Sequence, residues 1–353
     1  MTTILREETP TIVVGVDAHK HEHHVAVLDQ RGVFLADQRF AASSEGYEEL
    51  SNWIASMGTL SSIGIESTGS YARGLTRFLH ERDIEVVEVN RPHKHLRARV
   101  GKDDAIDAEA AARKVLSGEA TAKAKNSGGT VESIRQLQMV RVSAVKSRAV
   151  TLLQLQALLV TAPSSLRESV NAKTGHAKAV QCLALRPDLT RVHEPLQAAK
   201  LALRSLARRI RNLDEEVRGL DQLLSTLVKA QAPTLVSKVG VGTHNAAQLL
   251  ITAGQNIDRL SSEAAFARLC GVAPIPASSG QTQRMRLHRG GDRQANRALH
   301  MIVVCRLHYD QRTKDYMERR RAEGLSKKDV LRCLKRFVAR EVFYDLRTDL
   351  LQN

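Results

Sequence analysis

Aromatic side chains make up only 3% of this 353-residue chain. That scarcity argues against stacked bases as the main mode of any polyanion binding and favours contacts to a phosphate backbone. Cysteine is limited to Cys182, Cys270, Cys305 and Cys333, with no paired spacing. A disulfide framework is thereby excluded, and free, mostly buried thiols in a reducing compartment are expected. No apolar run approaches the roughly 18 residues of a membrane-spanning helix. The opening MTTILREETP lacks the apolar stretch of a secretory signal, so a cytoplasmic location without membrane partners is expected. Acidic residues are also in deficit: 38 Asp plus Glu face 53 Lys plus Arg, a net charge of +15. Such a balance predicts a polyanionic partner.

Against that deficit, four carboxylates stand out. Asp17 closes the apolar run TIVVGVD, Glu66 closes SSIGIE, and Asp104 and Asp107 lie in GKDDAIDAEAAARK. Short β-branched runs predict strands, and three-residue spacing on a helix puts both aspartates on one face. Brought together, four acids repel unless a cation sits among them. Two magnesium ions roughly 3.5–4 Å apart, serving phosphoryl transfer, are the usual occupant.

Residues 11–29 predict a hairpin around a polar AHKHEH turn, with a third strand near Gly32–Phe40. A Ser-capped helix carrying Tyr47, Leu50 and Ile54, the SSIGIE strand, a helix over Tyr71–Arg82, the strand IEVVEVN and the acid-bearing helix complete the series. This order resembles an RNase H-like α/β sheet. His19, His21, His23 and His24 fall in the turn, alternate faces and lack cysteine companions, so solvated side chains rather than a zinc site are expected. From about Thr130 to Ala162 the chain reads as helix. Leu196, Leu203, Ile210, Val217 and Leu224 then repeat every seven residues, with Ala199, Leu206, Leu213, Leu220 and Leu227 in the complementary phase. That pattern predicts a coiled-coil seam, whose partner is either the Thr130–Ala162 helix or a second protomer. Expected boundaries are residues 10–128 for the α/β domain, 129–232 for the helical coiled-coil middle, and 233–353 for a mainly α domain. In the last, LVSKVGVGTHNAAQLLITAG suggests a helix-hairpin-helix-like element whose Gly240 and Gly242 would let backbone N–H groups approach a phosphate.

Ser278-Ser279-Gly280 follows two prolines and precedes Arg284, Arg286, His288 and Arg289. Stiff proline flanks and a permissive glycine could present a hydroxyl, while guanidinium groups hold a phosphate. Ser279, with Ser278 as the second choice, is thus a candidate covalent nucleophile; the plainer reading is a basic loop that binds nucleic acid without chemistry. Lys20, Arg91, His93, Lys94, Arg97, Lys102, Arg284, Arg286, Arg289 and Arg293 are the expected nucleic-acid contacts.

GVDAHK, GIESTGSY and KDDAIDA resemble the RuvC-like half of the DEDD-type insertion-sequence transposases. KVGVGTHNAAQLL, FARLCGVAPIPASSG and RGGDRQANRALH resemble that family's serine-bearing half, and the match spans about Thr11 to His308. The resemblance implies a bridge-RNA-guided recombinase acting in the bacterial cytosol and nucleoid. Asp17, Glu66, Asp104 and Asp107 would bind Mg2+, and Ser279 would link covalently to a cut strand. Noncoding bridge RNA with donor and target DNA would be the partners, and homodimers would assemble into homotetramers. Two positions depart from the pattern: Asp103 stands where Thr is common, and Gly291-Asp292 where Gly-Asn is frequent. The tail past His308 carries little family signature and is expected to touch RNA or DNA. Competing readings are a RuvC-like junction nuclease using the acids alone, and a non-catalytic nucleic-acid-binding protein.

Overall fold

The computed structural model describes residues 10–66, 68–90, 103–126, 128–281, 285–288 and 290–351. They form two compact units, one comprising the chain up to Glu132 with Ala253–Phe266, the other Ser133–Thr252 with Ala267 onward. Arg91, His93, Lys94, Arg97, Lys102, Arg284 and Arg289, all expected to contact nucleic acid, lie outside the described residues.

The first unit begins with β1 (Thr11–Ala18), β2 (Glu22–Asp29) and β3 (Phe34–Ala41), followed by α1 (Ser44–Met57), β4 (Thr59–Glu66), α2 (Arg73–His80), β5 (Val86–Val89) and α3 (Asp104–Leu116). The sheet order is β3-β2-β1-β4-β5. The first three strands pair antiparallel, and β4 and β5 add in parallel. This mixed sheet with its helices fits the expected RNase H-like α/β architecture. Strand parity decides which residues go where. Ile12, Val14, Val16, Ile63 and Ile65 pack under α1 and α2 through Leu50, Ile54, Leu75 and Leu79. α1 starts where expected, its Ser43 hydroxyl accepting from Gly46 N at 3.2 Å.

The opposite parity carries Val13, Gly15 and Asp17 on β1 and Gly64 and Glu66 on β4. Here α3 lies almost on the backbone. A Cβ at Gly15 would stand 2.1 Å from Ala108 O and 2.3 Å from Ala112 N, and one at Gly64 would stand 2.5 Å from Val115 Cγ2. Only glycine admits so close an approach. Residues 253–266 join this unit through Asn256, whose amide donates to Ala124 O at 3.0 Å and accepts from Asn126 N at 2.7 Å.

In the second unit, most of α4 (Gly129–Thr161) is followed by α5 (Ser164–Ser169), α6 (Gly175–Leu183), α7 (Pro195–Gln231), α8 (Pro233–Val236) and α9 (Thr243–Ala253). α10 (Glu263–Leu269), of which only Ala267–Leu269 belong to this unit, precedes the short ladder of β6 (Pro274–Pro276) and β7 (Met285–Leu287), then α11 (Arg293–Tyr309), α12 (Gln311–Ala322) and α13 (Lys327–Leu351). The heptad segment is one helix. Leu203, Ile210, Val217 and Leu224 are buried, together with Ala207 and Val228. The complementary phase is half-buried. α7 pairs with α4 of the same chain, antiparallel, through Arg141–Asp221 at 2.5 Å and Arg148–Asp214 at 2.6 Å. Leu155 and Leu159 join Leu203, Ala207 and Ile210 in a shared apolar cluster. A seam between protomers is not needed to cover this face.

One expectation needs correction. His23 is 0% exposed and His24 7%, not solvated, because β2 starts at Glu22 and carries both into the sheet. The basic tail is also a structural element. α13 buries Val330, Leu334, Val338, Val342, Phe343 and Leu346, and its Asp349 accepts from Thr234 N and Leu235 N, both at 3.0 Å, at the start of α8. Cys182 and Cys270 are buried free thiols, with Cys305 and Cys333 half-buried. Among the described residues, no helix is long and apolar enough to cross a membrane.

Candidate metal centre and serine loop

The acid nest follows from a repeated pattern, glycine two residues before a carboxylate: Gly15-Val16-Asp17 and Gly64-Ile65-Glu66. Because β1 and β4 pair in parallel with Val16 opposite Ile65, both acids leave the same sheet face at the same height. The two glycines seat α3 on that face, and its first turn supplies Asp104 and Asp107. Glu66 and Asp107 are each 7% exposed. Asp103 does not enter the nest: it is exposed and caps α3, accepting from Ala105 N at 3.4 Å.

Crowding shows in the electrostatics. Burial pushes the Asp17 carboxyl above the usual carboxylate range, His19 pulls it down, and Asp107 and Asp104 push it up again. Buried anions that repel one another are a donor set short of positive charge, which a hard divalent cation fits. The oxygens of Asp17 and Asp104 and a ring nitrogen of His19 lie within 4.8 Å of one another.

His19 was not expected there. Its Nε2 lies 3.0 Å from Asp17 Oδ2 and 3.3 Å from Asp104 Oδ1. The missed signal was parity, since His19 sits two residues beyond Asp17. Arg39 on β3 completes the rim, its Nη2 4.0 Å from Asp104 Oδ2, and next to it His24 Nε2 meets Asp37 Oδ2 at 2.5 Å.

The serine loop lies in the second unit and is built differently. Ser278, Ser279 and Gly280 are exposed between β6 and β7. Gly280 has φ +53°, with no described atom within 4 Å of where a Cβ would stand. Arg286 on β7 and Arg293 in the first turn of α11 are exposed, as is Lys20 in the first unit. Asp292 is a helix cap: its Oδ1 accepts from Gln294 N and Ala295 N, and its Oδ2 from Thr252 Oγ1 at 2.7 Å. Gly240, φ +83°, packs on α11, where a Cβ would stand 3.0 Å from Ile302 O. Its partner Gly242 borders open space. Of this glycine pair, then, one serves packing and one is free to approach a ligand.

Residues 14–162, which include the acids, match a family model for IS110-type DEDD transposases, described as "Transposase". Residues 232–318, which include the serine loop, match one described as "Transposase IS116/IS110/IS902 family". The chain belongs to the IS110 family of transposases. Within it, the chain is 33% identical over 135 residues to the insertion element IS110 uncharacterized 43.6 kDa protein of Streptomyces coelicolor. It is 26% identical over 161 residues to the insertion element IS900 uncharacterized 42 kDa protein of Mycobacterium paratuberculosis. These matches cover 37% and 45% of this IS110-family chain, and 33% and 40% of the relatives.

Proposed function

We propose that this chain is the recombinase of an insertion sequence, a DNA strand-cutting and rejoining enzyme guided by a noncoding bridge RNA, acting in the bacterial cytoplasm. What supports the reading is the pairing of two IS110-type matches in order, one over the acid nest and one over the serine loop. In this reading Asp17, Glu66, Asp104 and Asp107 hold Mg2+, which supplies charge neutralisation at the scissile phosphate. His19 and Arg39 temper the repulsion among the acids and fix the rotamers of Asp17 and Asp104.

The Ser279 hydroxyl attacks phosphorus and gives up its proton, while the DNA oxygen leaves and takes one. A phosphoserine ester conserves the bond, and a second DNA hydroxyl displaces Ser279 to join the new strand. Arg286 and Arg293 bind flanking phosphates. Protomers work as dimers and tetramers, and sequence choice rests with the RNA, which suits a protein that reads backbone rather than bases.

The deciding experiment compares Ser279→Ala with Asp17→Ala. A covalent protein–DNA adduct on denaturing gels is expected for the parent chain only, and both variants should lose strand exchange. Undiminished exchange in Ser279→Ala removes the serine chemistry and leaves a metal-dependent junction nuclease. RNA recovered with the purified protein should map to the flank of the element; its absence removes RNA guidance.

A further inference from the structure

The second unit contains a cleft of about 1250 Å³ between the turn at Lys238–Val239 and the last three helices, α11, α12 and α13. It exceeds the roughly 300–1,000 Å³ that enclose a small ligand, so it is a trough for part of something longer. Its walls combine two features. Tyr316 and Phe337 meet edge to face, ring centroids 5.4 Å apart, and Phe337 remains 49% exposed. Around them stand Lys238, Arg312, Arg319 and Arg340, interspersed with Asp310, Asp315 and Glu341; Lys238 pairs with Asp345 at 3.5 Å and Arg319 with Glu323 at 3.8 Å. Arg319 lies 5.4 Å over the Tyr316 ring. Arg312 and Arg340 make no ion pair among the described residues, whereas Arg306 is fixed by Val239 O at 2.9 Å and Glu341 at 2.6 Å.

The half-exposed Phe337 thus stands beside two guanidinium groups, Arg312 and Arg340, that no carboxylate among the described residues holds. A ring face stacks an unpaired base, which a double helix does not present, and guanidinium groups offer phosphate contacts. We propose that this cleft takes an unpaired nucleobase on Phe337 and Tyr316, with flanking phosphates on Arg312, Arg319 and Arg340. It would then be a single-strand capture site, independent of the acids and of Ser279. The same chemistry is offered by single-stranded RNA and single-stranded DNA.

The test is photocrosslinking of the full chain to 12-nucleotide RNA and DNA strands carrying 5-iodouracil, followed by peptide mapping. Crosslinks are expected on the α12 or α13 peptide containing Tyr316 or Phe337, competed by unlabelled single strand and not by duplex. Stronger labelling of the RNA or of the DNA strand identifies which source is captured, and either supports the site. Phe337→Leu, which keeps an apolar side chain, should abolish the crosslink and weaken single-strand binding about fivefold or more, the loss of one stacked base. Arg312→Gln with Arg340→Gln should lower the slope of log affinity against log salt by about 0.7 per arginine removed. Crosslinks confined to other peptides, or an unchanged crosslink in a folded Phe337→Leu variant, would overturn the proposal. Because these readouts need neither cleavage nor strand exchange, they stand apart from the test of recombinase chemistry.

Discussion

The acid nest and the serine loop carry the two halves of the proposed chemistry on opposite kinds of scaffold. Asp17, Glu66, Asp104 and Asp107 project from central strands and a helix seated on glycine backbone. Ser279 stands exposed between two three-residue strands, beside a glycine with no described residue packed against it. Mutually repelling carboxylates need a frame that cannot relax, or they would part. A nucleophile that must reach a strand and later release it gains from a short, open loop instead. If that contrast is right, the two regions should answer to equivalent substitutions very differently.

The largest difference is expected between Gly15→Ala and Gly280→Ala. The first drives a methyl group into the backbone of α3, which must lift off the sheet, at a cost of about 3 kcal/mol or more. The second meets open space and carries only the strain of a left-handed alanine, about 1 kcal/mol. Urea denaturation followed by circular dichroism checks both. Equal midpoints would mean that α3 is not held by close contact at Gly15.

Acid should act on the first unit through His23. Burial holds this imidazole well below its usual value, down to about 4, helped by the charge of His19 and opposed by a hydrogen bond at Glu22. The ring is 0% exposed and stacks against Tyr47, centroids 5.7 Å apart. The unfolded chain therefore binds a proton that the folded one refuses between about pH 6.5 and pH 4. Stability is full above that window and falls by up to about 3 kcal/mol as pH drops through it. His23→Leu should flatten this portion of the stability–pH curve, read as the difference between variant and parent. A parallel pair of curves would show that His23 is not the group involved.

These histidines also show what the amino-acid order alone could reveal. The short β-branched runs TIVVGVD and SSIGIE were enough to place both acids at strand ends, and a Ser cap marked where α1 begins, whereas the Asp103 cap of α3 emerged only from the structure. The polar run AHKHEHH misleads, because the strand turns back within three residues and draws His23 and His24 into the sheet. His19 enters the nest for the same reason of parity. Asp349 capping α8, and Asn256 bridging to residues 124–126, are contacts between segments more than 100 residues apart, which no local pattern encodes.

A smaller effect, of opposite sign, is expected for Asp17→Asn. Removing a charge penalised by burial, together with its repulsion from Asp107 and Asp104, should outweigh the lost pairing with His19 and raise stability by a few tenths to about 1 kcal/mol, after allowing for solvent screening. Strand cleavage should nonetheless be lost. Magnesium should raise the melting temperature of the parent and leave the variant unmoved. A destabilised variant would argue that Asp17 is held by His19 for structure rather than for a cation.

The smallest effect should come from Asp292→Asn, which introduces the Gly-Asn that the family resemblance led one to expect. Asparagine caps a helix as well as aspartate does, so the bonds from Gln294 N and Ala295 N survive on its carbonyl oxygen. The Thr252 hydroxyl has one hydrogen and two acceptors in reach, Gln248 O at 2.8 Å and Asp292 Oδ2 at 2.7 Å. With asparagine, Thr252 would donate to Gln248 O and accept from the new amide, leaving every group satisfied. The change in stability should stay within about 0.5 kcal/mol. Asp292→Ala, which removes the cap and the Thr252 contact together, should cost about 1–2 kcal/mol. If Asn and Ala prove equally damaging, the negative charge at position 292 matters in its own right, and the residue belongs with the serine loop's electrostatics rather than with the frame of α11.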